Sequence, residues 1–245
     1  MRVWPSLAIV QNYEIIISNM VDRSKYLMKP YKRRNYYIPE DIEVHCTSVD
    51  CWVSIFNKVL DLSPLLFDNR GDPLCGPIIQ AAGTDISHWF DKDTFEPKTY
   101  IDPVSNLRCV YCPFGRYLHI PPVDPSGHFD INFKVPWWKD RTFEIGLLSE
   151  KPRKISIVNM LSKTQDIIDV AKEETMNEIL DRYLPFNDHA ASYTWKILGR
   201  PLDMELTLED NGVDDYADEF NTLEIDDNLY IPTIHLYFND DLTVR

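Results

Sequence analysis

Cys109 and Cys112 stand two residues apart, and His119 and His128 follow them. Thiolates and imidazoles at such intervals are what a tetrahedral zinc ion takes. No second tight pair accompanies them, so the set is an incomplete zinc spacing. The same two cysteines could cycle as a redox dithiol, but the βαβ pattern that positions such pairs is missing around them. The chain has five cysteines, Cys46, Cys51, Cys75, Cys109 and Cys112. That odd number without a disulfide framework suits a reducing, cytosolic compartment. There is no Gly-rich phosphate loop, no His-Glu-x-x-His and no Ser-His-Asp or Cys-His setting. No catalytic residue is therefore assigned, and neither an enzyme nor a small-molecule substrate is expected. The acid pairs Asp214-Asp215 and Asp226-Asp227 fall in an acidic stretch that reads as a solvated loop.

The chain that must position these groups has 245 residues, 44% hydrophobic and 26% charged. This is globular composition, long enough for two domains. Eight Gly against seventeen Pro predict stiff, extended connections. No apolar run approaches the ~18 residues of a membrane helix, so no membrane partner is expected. A net charge of −14 repels phosphates and argues against nucleic acid. The charge is uneven: residues 1–35 carry seven Arg and Lys against two acids, and residues 201–245 thirteen acids against Arg245. The acidic end suits a solvated loop or a docking face for a basic partner. The N-terminus carries no good secretory signal. Residues 1–34 read as an extension, poorly ordered over 1–19 or arising from start-codon choice, because Met20 opens a more ordinary polar start.

Local signals divide the remainder into two blocks. In the first, 35–120, Tyr36–Ile38 is strand-like, Pro39 opens a helix, and Cys51–Phe56 and Lys58–Leu62 are strands around a tight turn at Asn57-Lys58. Helices follow from Pro64 and Gly76, the second stopped by Gly83. Thr84-Asp85 caps a helical turn through Phe90. Leu107–Val110 and Tyr117–Ile120 read as short strands. A Pro/Trp-rich linker, 121–139, comes next. The second block, 140–245, opens with a strand at Phe143–Leu148. A hairpin over Lys154–Ala171 leads into a helix whose Met176, Ile179, Leu180, Tyr183 and Leu184 form one apolar stripe. Strands at Ser192–Leu198 and Ile231–Phe238 complete it.

The first block resembles the cytochrome b5 haem-binding domain. The residues that carry this are Tyr37-Ile38-Pro39-Glu40-Asp41-Ile42, Asp50-Cys51-Trp52-Val53, Asn57–Leu62 and Ala81-Ala82-Gly83-Thr84-Asp85. The resemblance implies a small sheet whose helical pairs grip haem b between two axial side chains. The family's first ligand lies in a His-Pro-Gly-Gly turn, which this chain lacks; Asn69 takes its place. Near the second ligand's position Tyr100 is the closest candidate, and a phenolate can ligate ferric haem. His88, beside Trp89 and Phe90, and His119 are the other axial candidates for the haem iron.

The likeness extends through Asp85–Asp91, Gly115–Pro122, Pro136–Trp138, His189–Lys196 and Leu236–Thr243. It matches one axonemal branch of the cytochrome b5 domain-containing proteins over residues 36–243. That match implies a protein of the motile cilium, on the cytoskeleton and cytoplasmic side, with axonemal proteins of the radial spoke as partners. The second block is similar to ubiquitin-like β-grasp domains in Ile157–Leu184 and Tyr193–Leu202. The expected fold is α+β, a cytochrome b5-like domain plus a ubiquitin-like β-grasp domain with an acidic loop. Three readings follow from the resemblance: a haem-binding or redox-responsive axonemal subunit, an electron carrier to a partner oxidoreductase, and a scaffold that has lost haem. A pocket packed by Leu66, Phe67 and Trp89 would favour the third.

Overall fold

The computed structural model describes residues 33–123, 129, 132–226 and 230–239. Nearly all of the expected 1–34 extension, His128, Asp227 and the last six residues lie outside these. The architecture is mixed helix and strand. Its first sheet holds β1 (Tyr36–Tyr37), β2 (Trp52–Ile55), β3 (Lys58–Asp61) and β6 (Glu144–Leu148), in the order β1-β6-β3-β2. The β2–β3 turn falls one residue earlier than Asn57-Lys58: Phe56 and Asn57 take φ of 46° and 64°, the left-handed pair that matches strand twist, and Lys58 already pairs with Ile55.

Expected to open the second block, Phe143–Leu148 supplies β6 to the first sheet instead. It runs parallel to β1 and antiparallel to β3. Gly146 permits this. A Cβ there would stand 2.6 Å from the Tyr37 ring and 2.9 Å from the Arg34 carbonyl oxygen.

Both faces of this sheet are covered, which is why β2 and β3 read as nearly continuous apolar runs. On one side Tyr37, Ile42, Trp52, Val59 and Ile145 pack beneath α1 (Pro39–Glu43). On the other lie α2 (Ser63–Asp68) and α3 (Gly76–Gln80), with Leu65, Leu66 and Ile78 turned inward. A two-stranded ribbon, β4 (Thr99–Ile101) and β5 (Arg108–Val110), projects beyond them.

Two further expectations change. Tyr117–Ile120 is a turn, not a strand: the Ile120 amide donates to the Tyr117 carbonyl, and His119 sits at φ 67°. The linker's tryptophans do not dock one unit on the other. Trp137 and Trp138 are buried in the first core.

The second sheet is ordered β10-β9-β11-β7-β8. Its strands are β7 (Pro152–Asn159), β8 (Gln165–Ala171), β9 (Tyr193–Ile197), β10 (Arg200–Pro201) and β11 (Thr233–Phe238). β11 lies in the middle, parallel to β7 and antiparallel to β9. Period-2 alternation sends Ile155, Ile157, Ile168, Val170, Trp195, Ile234 and Leu236 to one face. There they meet Met176, Ile179 and Tyr183 of α4 (Met176–Tyr183). Thr175 and Glu178 close a capping box on α4, the Glu178 carboxylate accepting the Thr175 amide at 2.9 Å.

A polar seam joins the two units. Arg182 of α4 is buried and donates to Glu174 at 2.6 and 3.1 Å. It also donates to both oxygens of Asp41 in α1, at 2.8 and 2.7 Å. Glu174, fully buried, accepts the Ala171 amide at 3.0 Å as well. Burial opposes the charge on Arg182, but the two carboxylates outweigh it and hold its pKa above the ordinary value.

The acidic stretch is not wholly a free loop. It contains α5 (Ala217–Thr222). Lys151 bridges Asp215 at 3.0 Å and Asp218 at 2.8 Å, and buried Arg153 donates to the carbonyls of Val213 and Asp214.

Candidate functional site

The candidate site is the layer that α2 and α3 share with residues 86–120, where a b5-type domain would grip its ligand. Asn69 ends α2. Its side-chain amide donates back to the Leu65 carbonyl at 2.9 Å, and its own carbonyl accepts the Cys75 thiol at 3.3 Å. The residue in the first-ligand place is thus spent on finishing its helix. Burial, with Asp72 adding, pushes the Cys75 thiol up to about 11, so that sulfur is a neutral core group.

The three axial candidates do not converge. Tyr100 sits on β4 opposite Cys109, with 49% of its surface exposed. His88 lies on the short 3-10 turn Ser87–Trp89, where the neighbouring indole takes the buried side and the imidazole stays exposed. Its ring meets Trp89 edge-on at 6.2 Å. His119 alone turns inward. Its Nδ1 accepts the Trp137 amide at 3.0 Å, and its ring stacks on Phe133 at 4.0 Å. A neutral imidazole that accepts at Nδ1 carries its proton on Nε2, which leaves no lone pair for iron. Asn69, Asp72, Arg116, His119 and Phe129 border one cavity of 340 Å³; neither Tyr100 nor His88 reaches it.

Aromatic rings fill the layer itself. Trp89, Tyr117 and Trp137 are fully buried, Phe90 and Trp138 nearly so. Centroid distances of 5.0 Å for Trp89–Tyr117, 6.0 Å for Tyr117–Trp137 and 5.6 Å for Trp137–Trp138 make one continuous stack of offset and edge contacts. Leu66 joins this core, and both it and Phe67 line a cavity beside α2. The cluster leaves the Trp89 and Trp138 indole N–H groups and the Tyr117 hydroxyl without hydrogen-bond partners among the described residues. Burial raises the Tyr117 pKa, with Cys112 nearby adding to it. It stays a phenol, whereas ferric iron takes a phenolate.

Cys109 is buried under the ribbon and Cys112 is half-buried against the aromatic core. Among the described residues no three His, Cys, Asp or Glu side chains gather in a way that could hold a metal ion. No described helix is long and apolar enough to cross a membrane.

Relatives along nearly the whole chain carry one name. Cytochrome b5 domain-containing protein 1 of Xenopus tropicalis is 51% identical over 216 residues, 88% of this chain and 99% of that protein. The Homo sapiens protein of that name is 44% identical over 213 residues, covering 87% and 93% of the two chains. The chain belongs to the cytochrome b5 domain-containing protein 1 family. It is a cytochrome b5-like protein by that descent. No protein-family profile matches it. Among solved structures, a ubiquitin-like domain from the polyubiquitin locus of T. thermophila aligns with 35% of this chain and 91% of its own, at 16% identity and a TM-score of 0.25.

The b5 name brings haem b with it as an expectation, and the residues of this chain do not fit that group. The first-ligand place holds an asparagine that caps a helix. Tyr100 and His88 face solvent. His119 has its tautomer set by a backbone amide. The orphaned polar atoms at the centre are N–H and O–H donors, in forms that do not ligate iron. Sequence reasoning missed the ring cluster's extent, because Trp137 and Trp138 lie about twenty residues past the block they complete. It also missed Arg182 with Glu174 and Asp41; a lone Arg on the helix stripe carries no signal of its partner 141 residues away.

Proposed function

We propose that this chain is a non-enzymatic, cytochrome b5-like scaffold of the motile-cilium axoneme, in the radial-spoke region, built on a b5-like fold that has given up haem. The aromatic packing of Trp89, Tyr117, Trp137 and Trp138 where the family would hold its cofactor carries this reading. Electron carriage is disfavoured by the same observation, since fast one-electron transfer calls for a preorganised pair of axial ligands. The second sheet supports a ubiquitin-like β-grasp reading: a hairpin, one helix packed across it, and a last strand inserted parallel to the first. The axonemal assignment rests on the likeness over 36–243.

The β-grasp unit and the exposed part of the acidic stretch are the docking surface in this reading. The test is sedimentation with demembranated axonemes across a salt series. Glu219 and Glu224 are exposed. Changing both to their amides is expected to weaken binding and flatten its salt dependence, with the thermal midpoint nearly unchanged. Equal binding with an equal salt slope would overturn the acidic-docking reading.

A further inference from the structure

The chain leaves α1 at Glu43 and doubles back into β2 through residues 44–51. Cys46 and Cys51 face each other across this reversal as an antiparallel pair. The Trp52 amide donates to the His45 carbonyl at 3.0 Å, and the Thr47 amide to the Asp50 carbonyl at 2.9 Å. These two bonds flank the pair, so the cysteines occupy a non-hydrogen-bonded site. There Cα atoms stand about 4.5 Å apart and the two side chains share one face. A disulfide spans Cα separations of about 4.4–6.8 Å, so a cross-strand pair of this kind falls within its reach.

The surroundings hold this register. The Asp50 amide donates to Thr47 Oγ1 at 3.1 Å. The His45 ring stacks on Trp52 at 3.6 Å, and its Nδ1 lies 2.7 Å from Asp50 Oδ2. Gly83 makes room for Cys46. At φ 79° it carries no side chain, and a Cβ there would meet the Cys46 Cβ at 3.0 Å. The two sulfurs differ sharply in access: Cys46 is exposed and Cys51 fully buried. Burial, with Asp61 and Asp50 adding, pushes the Cys51 thiol up to about 12.

We propose that Cys46 and Cys51 form a reversible disulfide in response to peroxide, with Cys46 as the sulfur that meets the oxidant. The Cys46 thiolate attacks hydrogen peroxide; an S–O bond forms, the O–O bond breaks, and the released hydroxide takes a proton to become water. The Cys51 sulfur, giving up its proton, then attacks the Cys46 sulfenic acid. The S–S bond forms and the S–O bond breaks, the departing hydroxide leaving as a second water. Each sulfur is oxidised by one electron, and the peroxide is reduced by two. A cellular dithiol reverses the reaction, as a reducing compartment requires. The ring closed is short, and it ties down Ser48 and Val49, which form one wall of the 320 Å³ cavity bordered by Phe67, Arg70 and Ile79. The b5-like unit thereby gains a redox response without haem, whether or not the axonemal reading holds.

The Cys109–Cys112 pair is the internal contrast. Its sequence spacing looks redox-active, yet Cys109 is buried in the middle of β5 and Cys112 lies two residues past the end of that strand, outside any cross-strand pair. The test uses the reduced full chain, treated with hydrogen peroxide, blocked with an alkylating reagent and cut before Asp50 by an Asp-specific protease. That cut separates Cys46 from Cys51, so a linked pair of peptides reports the bond. The linked species is expected in the parent chain, lost on dithiol treatment and lost in Cys46→Ser, whose exposed position leaves folding intact. Cys109→Ser is expected to keep it. Cys46 found as sulfinic acid with no link, Cys46 joined to another cysteine, or Cys46 still a thiol while exposed methionines oxidise would each overturn the proposal.

Discussion

The two cores of this molecule are built by different means. The second is a five-stranded sheet under one helix, its apolar residues set by period-2 alternation and its helix fixed by a capping box. Its hairpin and helix follow one another in sequence, and β11 returns from far along the chain to lie between β9 and β7. The first is assembled from two- to six-residue elements, and rings gathered from three separate segments fill it. Strand pattern secures the second core. In the first core, ring packing substitutes for regular structure, and the Trp89, Tyr117 and Trp138 polar atoms find no hydrogen-bond partner among the described residues. These rings pack against one another in a continuous stack.

Removing one ring is the hardest blow to that arrangement. Trp137→Ala is expected to destabilise the fold by about 3–5 kcal/mol, read as a shift in the chemical denaturation midpoint. A loss below about 1 kcal/mol would show that the ring cluster does not hold the first core together. Breaking the seam comes next. Arg182→Ala strips buried Glu174 of its close cation and leaves only Arg34, at 3.9 Å, to face it, and a loss of about 3 kcal/mol is expected. If the two units depend on that seam, limited proteolysis should also cut between them sooner than in the parent chain.

Smaller effects sharpen the contrast from the side of the second unit. Thr175→Ala removes the cap of α4 and should lower stability by about 1 kcal/mol, with the first core's tryptophan fluorescence unaltered at room temperature. The smallest effect concerns the acidic stretch. Burial opposes ionisation of Asp215, but the Ala217 amide and Lys151 outweigh it and hold the carboxyl below its ordinary range. A depressed carboxyl stabilises the fold above its unfolded pKa, and that contribution fades as pH falls through the folded value. Asp215→Asn should therefore be less stable than the parent near neutrality by less than about 1 kcal/mol. The gap should close below the usual carboxylate range. A gap that stays constant with pH would point to packing instead of charge.

Legibility in the sequence followed the same division. The hairpin Lys154–Ala171, the stripe on α4 and the strands after it were readable because each is a periodic local pattern. In the first unit, Pro39, Gly83 and the β2–β3 turn announced themselves through backbone chemistry. The membership of β6 did not, because Phe143–Leu148 is an ordinary strand whose partner is decided by a close approach at Gly146. Tyr117–Ile120 looked like a strand because it is a short, mostly apolar run, but burial of Tyr117 and the hydrogen bond that the Trp137 amide donates to His119 hold it as a turn. Tyr100, His88 and His119 were reasonable ligands by residue type. Residue type says nothing of direction, and only the structure shows two imidazole or phenol groups facing water and one with its tautomer already set. The Cys46–Cys51 pair was hidden for a related reason: four intervening residues fit many loops, and only the bonds on either side make a cross-strand site of them.

The b5-like unit is packed by its rings at the centre and brings no two axial candidates together. Haem titration of the folded full chain, followed by absorbance, tests it most directly. A packed core with no converging ligands predicts no saturable Soret shift, and none introduced or removed by Tyr100→Phe, His88→Ala or His119→Ala. A sharp, stoichiometric Soret band that one of those substitutions abolishes would contradict it, and would name the ligand.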